Sequence, residues 1–302
     1  TLELAVLLNF VLGACVLWTV RGRPGFRRAA VGAGAAVILV IAGYCIGMGA
    51  WDRDVLAVGA YRTRQRIPSQ QNLVQRARSA YKTVFYRDGV DATVVVRDEF
   101  ENVSQRALVV NGKVDASTVG DLPTQKAIGH LPMFIHPKPE NVLIVGIGSG
   151  ATIGSVLTHG VKHVDVVEIS RDVIEASRYF ETINGRYWED PRVRVYWEDA
   201  KTFLQVTERK YDVIVSEPTN PWIAGIAGVF SQEYYQTCRE HLAPGGLFVQ
   251  WIQGYELEDA TLFLMLETFR GSFGNFTMWN PAGPDMVMVG SNEVYDPDFA
   301  HM

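Results

Sequence analysis

A glycine-rich turn near the middle of the chain is the first segment whose residue types could do chemistry. It reads Gly146-Ile147-Gly148-Ser149-Gly150 and directly follows a short apolar run. Glycine allows a sharp turn and lets a ligand approach the backbone N–H groups where a helix begins. A tight strand-to-helix turn would need the same residues, and the turn also fits the fingerprint of NAD-binding proteins. The turn by itself therefore leaves a structural role, a dinucleotide and a nucleoside open.

Acidic residues end the next three apolar runs of the chain. Glu168 follows Gly150 by 18 residues, where a carboxylate can accept hydrogen bonds from both hydroxyls of a ribose. Asp199 precedes the small residue Ala200, so that an acid there can accept a hydrogen bond from the amine of adenine. Glu217 ends the fourth run in a loop bracketed by prolines, at the edge where open α/β sheets bind ligands. Each acid alone could be a solvated strand end, but the ordered series favours an adenosine nucleoside such as S-adenosylmethionine or its decarboxylated form.

The elements that must position these residues are an alternating series of strands and helices. From Asn141 onwards, apolar runs alternate with helical stretches, which predicts a doubly wound α/β sheet with parallel strands. Between residues 82 and 114, β-branched runs separated by turn residues predict a small antiparallel sheet. The predicted fold class is therefore a Rossmann-like α/β domain preceded by a small antiparallel β domain. The expected bounds are 81–120 for the β domain and 121–302 for the nucleoside-binding catalytic domain.

Two uncharged runs near the N-terminus are long enough to suggest membrane spans. Residues 4–20 and 29–51 carry no charged side chain, and about 20 helical residues cross a hydrocarbon core of roughly 30 Å. They predict a transmembrane helical hairpin over residues 1–51, followed by an arginine-rich connector over 52–80. A signal peptide with a buried core helix is the alternative. We expect a multi-pass protein of the lipid bilayer with a cytoplasmic catalytic domain, although basic residues balance on the two sides of the second run. The chain begins with Thr1 and can be a piece of a longer protein.

Composition excludes several classes of protein. The chain has 302 residues with 48% hydrophobic and 20% charged side chains, which is too apolar for a disordered protein. A net charge of −5 argues against a nucleic-acid partner, since such proteins carry a basic excess or stripe. Three cysteines cannot form a disulfide framework, and the six scattered histidines lack the spacing of metal ligands. We therefore expect no metal and no tightly bound cofactor.

Several strings between about Tyr81 and Ser291 carry a resemblance to a known family. They include VLIVGIGSG, DVVEIS, DPRVRVYWEDA and YDVIVSEPTNPW, in a segment of about 70% of the chain. The segment resembles the spermidine synthase family of aminopropyltransferases, and most closely its membrane-fused members. The resemblance implies a homodimer that passes an aminopropyl group from decarboxylated S-adenosylmethionine to an amine, leaving methylthioadenosine. It also implies that Glu168 holds the ribose, that Asp199 holds the adenine and that Glu217 accepts the proton of the attacking amine.

The chain departs from the family pattern on the substrate side of the site. Ser149 stands where the glycine turn of the family usually has an aspartate, and Asn220 replaces a second acid of the catalytic loop. Thr124-Gln125 stands in place of a Tyr-His pair, and Asp115 in place of a glutamine. The residues expected to contact substrate are Asp115, Gln125, Asn220 and Trp222. A polyamine carries several positive charges, so the loss of carboxylates weakens the site that would bind it. The absence of the aspartate from the glycine turn also leaves S-adenosylmethionine, which keeps its own carboxylate, open as the donor.

The sequence as a whole predicts a membrane-anchored, spermidine synthase-like transferase that acts on a small amine. Its co-substrate is decarboxylated S-adenosylmethionine or S-adenosylmethionine. Two alternatives stay open. One is another S-adenosylmethionine-dependent enzyme, such as a methyltransferase, in the same pocket. The other is a domain that senses a nucleoside without turnover.

Overall fold

The structure, a computed structural model, describes residues 78–295 apart from positions 91, 101–103 and 224, together with isolated positions nearer the N-terminus. The chain divides into two compact units, Thr1–Val58 and Gly59–Met302. Every strand and helix named below lies in the second unit. The hairpin predicted for residues 1–51 and most of the predicted connector lie outside the described residues.

The described helices are short. The two longest have 14 residues each, which at 1.5 Å per residue is about 21 Å, against roughly 30 Å for a hydrocarbon core. In the described part of the chain no helix is long and apolar enough to cross a membrane. The predicted location, a multi-pass membrane protein with a cytoplasmic catalytic domain, is therefore wrong for the part of the chain that the structure describes.

A small antiparallel sheet opens the described region, as the sequence predicts. Its strands are β1 (Tyr81–Asp88), β2 (Thr93–Glu99), β3 (Gln105–Val110) and β4 (Lys113–Ser117). They lie in the order β1-β2-β3-β4, and each neighbouring pair is antiparallel. Between β3 and β4, Asn111 and Gly112 have φ values of 51° and 78°. Positive φ at both positions is what a two-residue hairpin turn of type I′ requires, and this turn fixes the register of β4.

A seven-stranded sheet carries the rest of the fold. Its strands are β5 (Asn141–Val145), β6 (His163–Glu168), β7 (Val193–Trp197), β8 (Tyr211–Ser216), β9 (Leu242–Gln253), β10 (Asn275–Trp279) and β11 (Asp285–Ser291). The spatial order is β10-β11-β9-β8-β5-β6-β7. β5 to β9 pair in parallel, whereas β10 and β11 close one side of the sheet as an antiparallel pair. The predicted Rossmann-like α/β fold with a small antiparallel sheet before it is confirmed.

Helices cover both faces of this sheet. They are α1 (Leu122–Ile135), α2 (Ala151–Leu157), α3 (Arg171–Ser177), α4 (Glu181–Asn184), α5 (Ala200–Val206), α6 (Gln232–Glu240) and α7 (Asp259–Ser272). Short 3-10 helices lie at Arg178–Phe180, Tyr187–Glu189 and Ala227–Phe230. Because side chains of a strand alternate between faces, β5 sends Val142 and Ile144 into one apolar cluster, and Leu143 into another.

The first of these clusters joins the two sheets. It combines Val142 of β5 with residues of α1 to α3 and with Val94 and Leu108 of the small sheet. The shared burial brings the end of β4 close to the glycine turn after β5. A Cβ added to Gly148 would lie 3.9 Å from the Cβ of Ala116 in β4. The small sheet is therefore placed where it can form one wall of a site at the carboxyl ends of the parallel strands.

Candidate active site

A cavity of about 430 Å³ opens at the carboxyl ends of β5, β6 and β8, beneath the β3–β4 hairpin. Its volume is in the range that small-molecule sites occupy. Nine of the twelve residues predicted from the sequence line it. They are Asp115, Gln125, Gly146, Gly148, Ser149, Glu168, Asp199, Ala200 and Glu217. Gly150, Asn220 and Trp222 are not among the lining residues.

The glycine turn adopts a left-handed backbone that favours glycine. Gly146, Gly148 and Gly150 have φ values of 93°, 53° and 79°. A Cβ on Gly146 would lie 2.6 Å from the carbonyl oxygen of Glu217, and one on Gly150 would lie 2.7 Å from the ring of Tyr187. Gly146 therefore lets the turn pack directly against the loop after β8, whereas Gly150 lets it pack against the ring of Tyr187 and does not line the cavity.

Glu168, at the end of β6, holds the glycine turn in place. One carboxylate oxygen accepts a hydrogen bond from the backbone N–H of Ile147 at 3.0 Å, and the other accepts one from Ser170 N–H at 2.8 Å. Burial raises the pKa of this carboxyl, although the two backbone bonds oppose the shift. Each carboxylate oxygen has a second lone pair, so the group can also accept hydrogen bonds from ribose hydroxyls.

Asp199 caps the helix α5 at the edge of the cavity. Its Oδ1 accepts hydrogen bonds from the backbone N–H of Thr202 at 2.9 Å and from the Thr202 hydroxyl at 3.2 Å. Both of these contacts use the same oxygen, which leaves Oδ2 for a ligand. The neighbouring Ala200 is buried and has no side chain beyond Cβ, so that a flat ring can approach Asp199.

Glu217 is an acid of the cavity whose surroundings raise its pKa strongly. Its Oε2 lies 2.6 Å from the hydroxyl of Thr152 in α2, which donates to it. Burial raises the pKa of Glu217 to about 7, the Thr152 bond opposes the shift, and the nearby carboxyls of Asp285 and Asp121 raise it further. A carboxyl that titrates near neutral pH can take a proton from a substrate and release it again.

Asp121 and Asp285, which no sequence motif marks, also face this cavity. Asp121 stands at the N-cap position of α1, yet its side chain makes no capping hydrogen bond. Burial raises the pKa of Asp121, and the charge of Asp285 adds to the shift. Asp285 begins β11, and its Oδ2 accepts a hydrogen bond from the Thr124 hydroxyl at 2.7 Å. An aspartate before a helix is usually a cap, so no local signal in the sequence distinguishes Asp121 from one.

Asp115 and Gln125 line the cavity, and each side chain already forms polar contacts with neighbouring residues. Asp115 forms an ion pair with Lys113 and accepts a hydrogen bond from the Thr219 hydroxyl at 2.9 Å. Gln125 Oε1 accepts a hydrogen bond from the Ser149 hydroxyl at 2.5 Å. Its Nε2 is buried and has no hydrogen-bond partner among the described residues. Gln125 therefore keeps an unused donor in the lining of the cavity.

Asn220 and Trp222, which the sequence also predicts to bind substrate, lie away from the cavity lining. Asn220 is fully buried, and neither its Oδ1 nor its Nδ2 has a hydrogen-bond partner in the described part of the chain. The side chain of Trp222 is 42% exposed. Both follow Pro218 in the loop after β8, and the turn of that loop directs them elsewhere.

Solved structures share this arrangement of elements. A spermidine synthase in complex with the transition-state analogue AdoDATO superposes with a TM-score of 0.65 at 21% identity, over 73% of this chain and 77% of the other. The spermidine synthase from Thermotoga maritima gives a TM-score of 0.64 at 22% identity, over 73% and 76%. At these identities the likeness concerns the fold.

Two curated relatives are named as a polyamine aminopropyltransferase and a spermidine synthase. A polyamine aminopropyltransferase of Alkaliphilus metalliredigens is 37% identical over 146 residues, 48% of this chain and 51% of the relative. A spermidine synthase of Dictyostelium discoideum is 32% identical over 182 residues, 60% of either chain. The chain thus spans about half to three fifths of these relatives. Neither is named as a membrane protein, and the predicted likeness to membrane-fused members is not supported.

A family profile covers the part of the chain that holds most of the site. The profile is described as the spermine/spermidine synthase domain, and it matches residues 122–279, from α1 to β10. The match includes the glycine turn, Glu168, Asp199 and Glu217. It extends over about half of the chain. The chain belongs to the spermine/spermidine synthase family.

Proposed function

We propose that the protein transfers an aminopropyl group from decarboxylated S-adenosylmethionine to an amine acceptor and releases methylthioadenosine. In this proposal the glycine turn underlies the nucleoside, Glu168 accepts hydrogen bonds from the ribose and Asp199 accepts one from the adenine amine. Glu217 takes the proton of the attacking amine. The membership of the family and the order of these groups along the strand ends support the assignment.

The observation that carries the proposal is the charge of the cavity. Its acidic lining residues are Asp115, Asp121, Glu168, Glu198, Asp199, Glu217 and Asp285. Lys113 is the one cationic side chain among the described lining residues, and it is ion-paired with Asp115. Such a cavity attracts cations and repels carboxylates. Decarboxylated S-adenosylmethionine and amines are cations, whereas S-adenosylmethionine brings a carboxylate of its own.

The transfer needs a base because an amine attacks only through a free lone pair. A primary ammonium has a pKa near 10.4, so that about one molecule in a few thousand is neutral at pH 7. This scarcity adds roughly 4–5 kcal/mol to the barrier. Glu217 removes the ammonium proton, the amine nitrogen bonds to the methylene carbon next to the sulfonium, and that carbon–sulfur bond breaks. Its electron pair stays on sulfur, so that neutral methylthioadenosine leaves.

Product analysis tests the proposal. The purified full chain is incubated with S-adenosylmethionine or its decarboxylated form, with and without 1,4-diaminobutane, and the products are identified by mass spectrometry. We expect methylthioadenosine and an aminopropylated amine only when the decarboxylated donor and the amine are both present. S-Adenosylhomocysteine would indicate methyl transfer instead, and binding without any product would indicate a nucleoside sensor. Either result would contradict the proposed function.

The domain bounds, the homodimer and the substrate contacts predicted from the sequence are also proposals. The bounds 81–120 and 121–302 and the homodimer stay predictions. Asp115 and Gln125 line the cavity and keep their proposed contact with substrate. The proposed contacts of Asn220 and Trp222 would require the loop after Pro218 to rearrange when substrate binds.

A further inference from the structure

The indole of Trp197 forms a hydrogen bond beside the cavity that the proposed transfer leaves unexplained. Trp197 is the last residue of β7 and is not among the described residues that line the cavity. Its Nε1–H donates a hydrogen bond to the backbone carbonyl of Ile169 at 2.9 Å. Ile169 follows Glu168 directly and lines the cavity. The indole therefore holds the segment that begins where β6 ends.

The backbone ladder between β6 and β7 stops just before this segment. Glu168 and Trp197 are the last register partners of the parallel pair. The final backbone bond runs from the N–H of Glu198 to the carbonyl of Glu168 at 3.2 Å. The carbonyl of Ile169 lies beyond this ladder and accepts the indole N–H instead. A side chain thus continues the contact between the two strands where the backbone can no longer do so.

The peptide between Ile169 and Ser170 connects the indole to Glu168. Its carbonyl oxygen accepts the bond from Trp197, and its N–H, which belongs to Ser170, donates to Glu168 Oε1 at 2.8 Å. A peptide unit is planar and rigid, so a bond that orients its carbonyl also orients its N–H. Hydrogen bonds in a chain also polarise and strengthen one another. Trp197 therefore acts on the Glu168 carboxylate through a single peptide unit.

The Glu168 carboxylate depends on backbone donors because it is buried. Burial raises the pKa of this carboxyl, and the backbone N–H groups of Ile147, Ser170 and Ile169 oppose the shift. The ionised carboxylate is the form in which both oxygens are free to accept hydrogen bonds from the hydroxyls of a ribose. A weaker bond from Ser170 would therefore leave this form less stable and its orientation less fixed.

Arg171 restrains the indole ring from the same segment. Its guanidinium carbon lies 5.8 Å from the centroid of the Trp197 ring, which is within the range of a cation–π contact. Arg171 begins α3 directly after Ser170, so the segment holds the indole at two points. Trp197 is nevertheless 61% exposed. A smaller side chain at this position removes little buried surface, and we expect such a variant to fold.

We propose that Trp197 is a positioning residue for the nucleoside, because its indole N–H fixes the peptide between Ile169 and Ser170 and thereby aims the Glu168 carboxylate at the ribose hydroxyls. This inference rests on the proposed function and deepens it. Trp197 itself does not contact the ligand in this arrangement. The indole N–H should therefore matter only for ligands whose ribose carries the hydroxyls that Glu168 binds.

Two ligands that differ only in the ribose hydroxyls test this role. Binding of methylthioadenosine and of its 2′,3′-dideoxy analogue to the full chain is measured by calorimetry for the wild type and for Trp197→Phe. Phenylalanine keeps an aromatic ring but has no N–H to donate. We expect Trp197→Phe to bind methylthioadenosine about three- to tenfold more weakly, as for one lost hydrogen bond, and to bind the dideoxy analogue within about twofold of the wild type.

Two further variants keep the test sharp. Trp197→Leu lacks the same N–H in a side chain of different shape and should show the same selective loss. Trp279→Phe removes an indole N–H that donates to Thr277 Oγ1 at 2.8 Å in β10, outside the described lining of the cavity, and it should change neither affinity. Thermal melts check that each variant is folded.

The possible results separate this role from the proposed function. An unchanged affinity of folded Trp197→Phe for methylthioadenosine, or an equal loss with both ligands, would overturn the positioning role and leave the transfer reaction standing. Equal affinity of the wild type for the two ligands would overturn the ribose contact of Glu168, and the positioning role with it. Absence of methylthioadenosine binding by the wild type would overturn the nucleoside site of the proposed function as well.

Discussion

At the scale of single residues, the hydroxyl of Thr152 can donate its hydrogen bond either to Glu217 or to the backbone oxygen of Gln125. The hydroxyl of Thr152 lies 2.6 Å from Glu217 Oε2 and 3.0 Å from the backbone oxygen of Gln125. It has one hydrogen to donate, and the backbone oxygen can only accept. When Glu217 is ionised, Thr152 donates to it. When Glu217 is protonated, it can donate to Thr152, whose hydrogen then turns to Gln125. Thr152 is thus a positioning residue that accommodates both states of the base.

Replacing Thr152 by Val should shift the pH dependence of the reaction. The Thr152 hydrogen bond lowers the pKa of Glu217, so its loss raises that pKa above the value of about 7. Glu217 must be ionised to accept a proton, and the acidic limb of kcat/KM should therefore move to higher pH in Thr152→Val. Thr152→Ser keeps the hydroxyl and should retain the wild-type limb. A limb that stays in place in Thr152→Val would show that the hydroxyl does not act on Glu217.

Glu168 should govern the affinity for the nucleoside. Glu168→Gln keeps one oxygen that can accept the backbone N–H of Ile147 or Ser170 but removes the charge behind the ribose hydrogen bonds. Charge-assisted bonds are worth on the order of 1.5–3 kcal/mol, so that methylthioadenosine should bind at least tenfold more weakly in calorimetry. A thermal melt checks the fold of the variant. Unchanged affinity in a folded protein would place the ribose elsewhere.

At the scale of elements, the glycine turn and the strands could be predicted from the sequence because their signals are local. Alternating apolar runs and glycines mark β5 and the turn after it, an acid ends β6, and acids directly follow β7 in the chain. Asp121 and Asp285 could not be predicted in this way. They are 164 positions apart in the chain, and they come near each other because α1 packs against β11.

The packing of the glycine turn predicts that a side chain at Gly150 destabilises the folded protein. In Gly150→Ala the alanine would have to keep a backbone φ of 79°, and its Cβ would lie 2.7 Å from the ring of Tyr187. The left-handed backbone alone costs about 1–2 kcal/mol, and the clash adds to it. The melting temperature and the affinity for methylthioadenosine should both fall.

Gly160→Ala is the matched control for this variant. A Cβ at Gly160 meets nothing within 4 Å, and the melting temperature should stay close to that of the wild type. Equal melting temperatures for the two alanine variants would contradict the packing described for the turn.

At the scale of the whole molecule, a modest net charge conceals a strongly acidic site. The chain carries a net charge of −5, yet seven acids and one ion-paired lysine line the cavity in the described residues. The substrate side of the cavity therefore carries more carboxylates than the sequence predicts. The acid lost at Asn220 is offset by Asp121 and Asp285, which come from other parts of the fold. This distribution favours cationic substrates.

The rate of methylthioadenosine formation by Glu217→Gln tests the central claim most directly. Decarboxylated S-adenosylmethionine and 1,4-diaminobutane are the substrates, and the wild type is the reference. Glutamine keeps the shape of the side chain but cannot accept the proton, so we predict a kcat at least about 10²-fold lower, with methylthioadenosine affinity retained. Turnover by Glu217→Gln at the wild-type rate would contradict the assignment of Glu217 as the base and the transfer mechanism built on it.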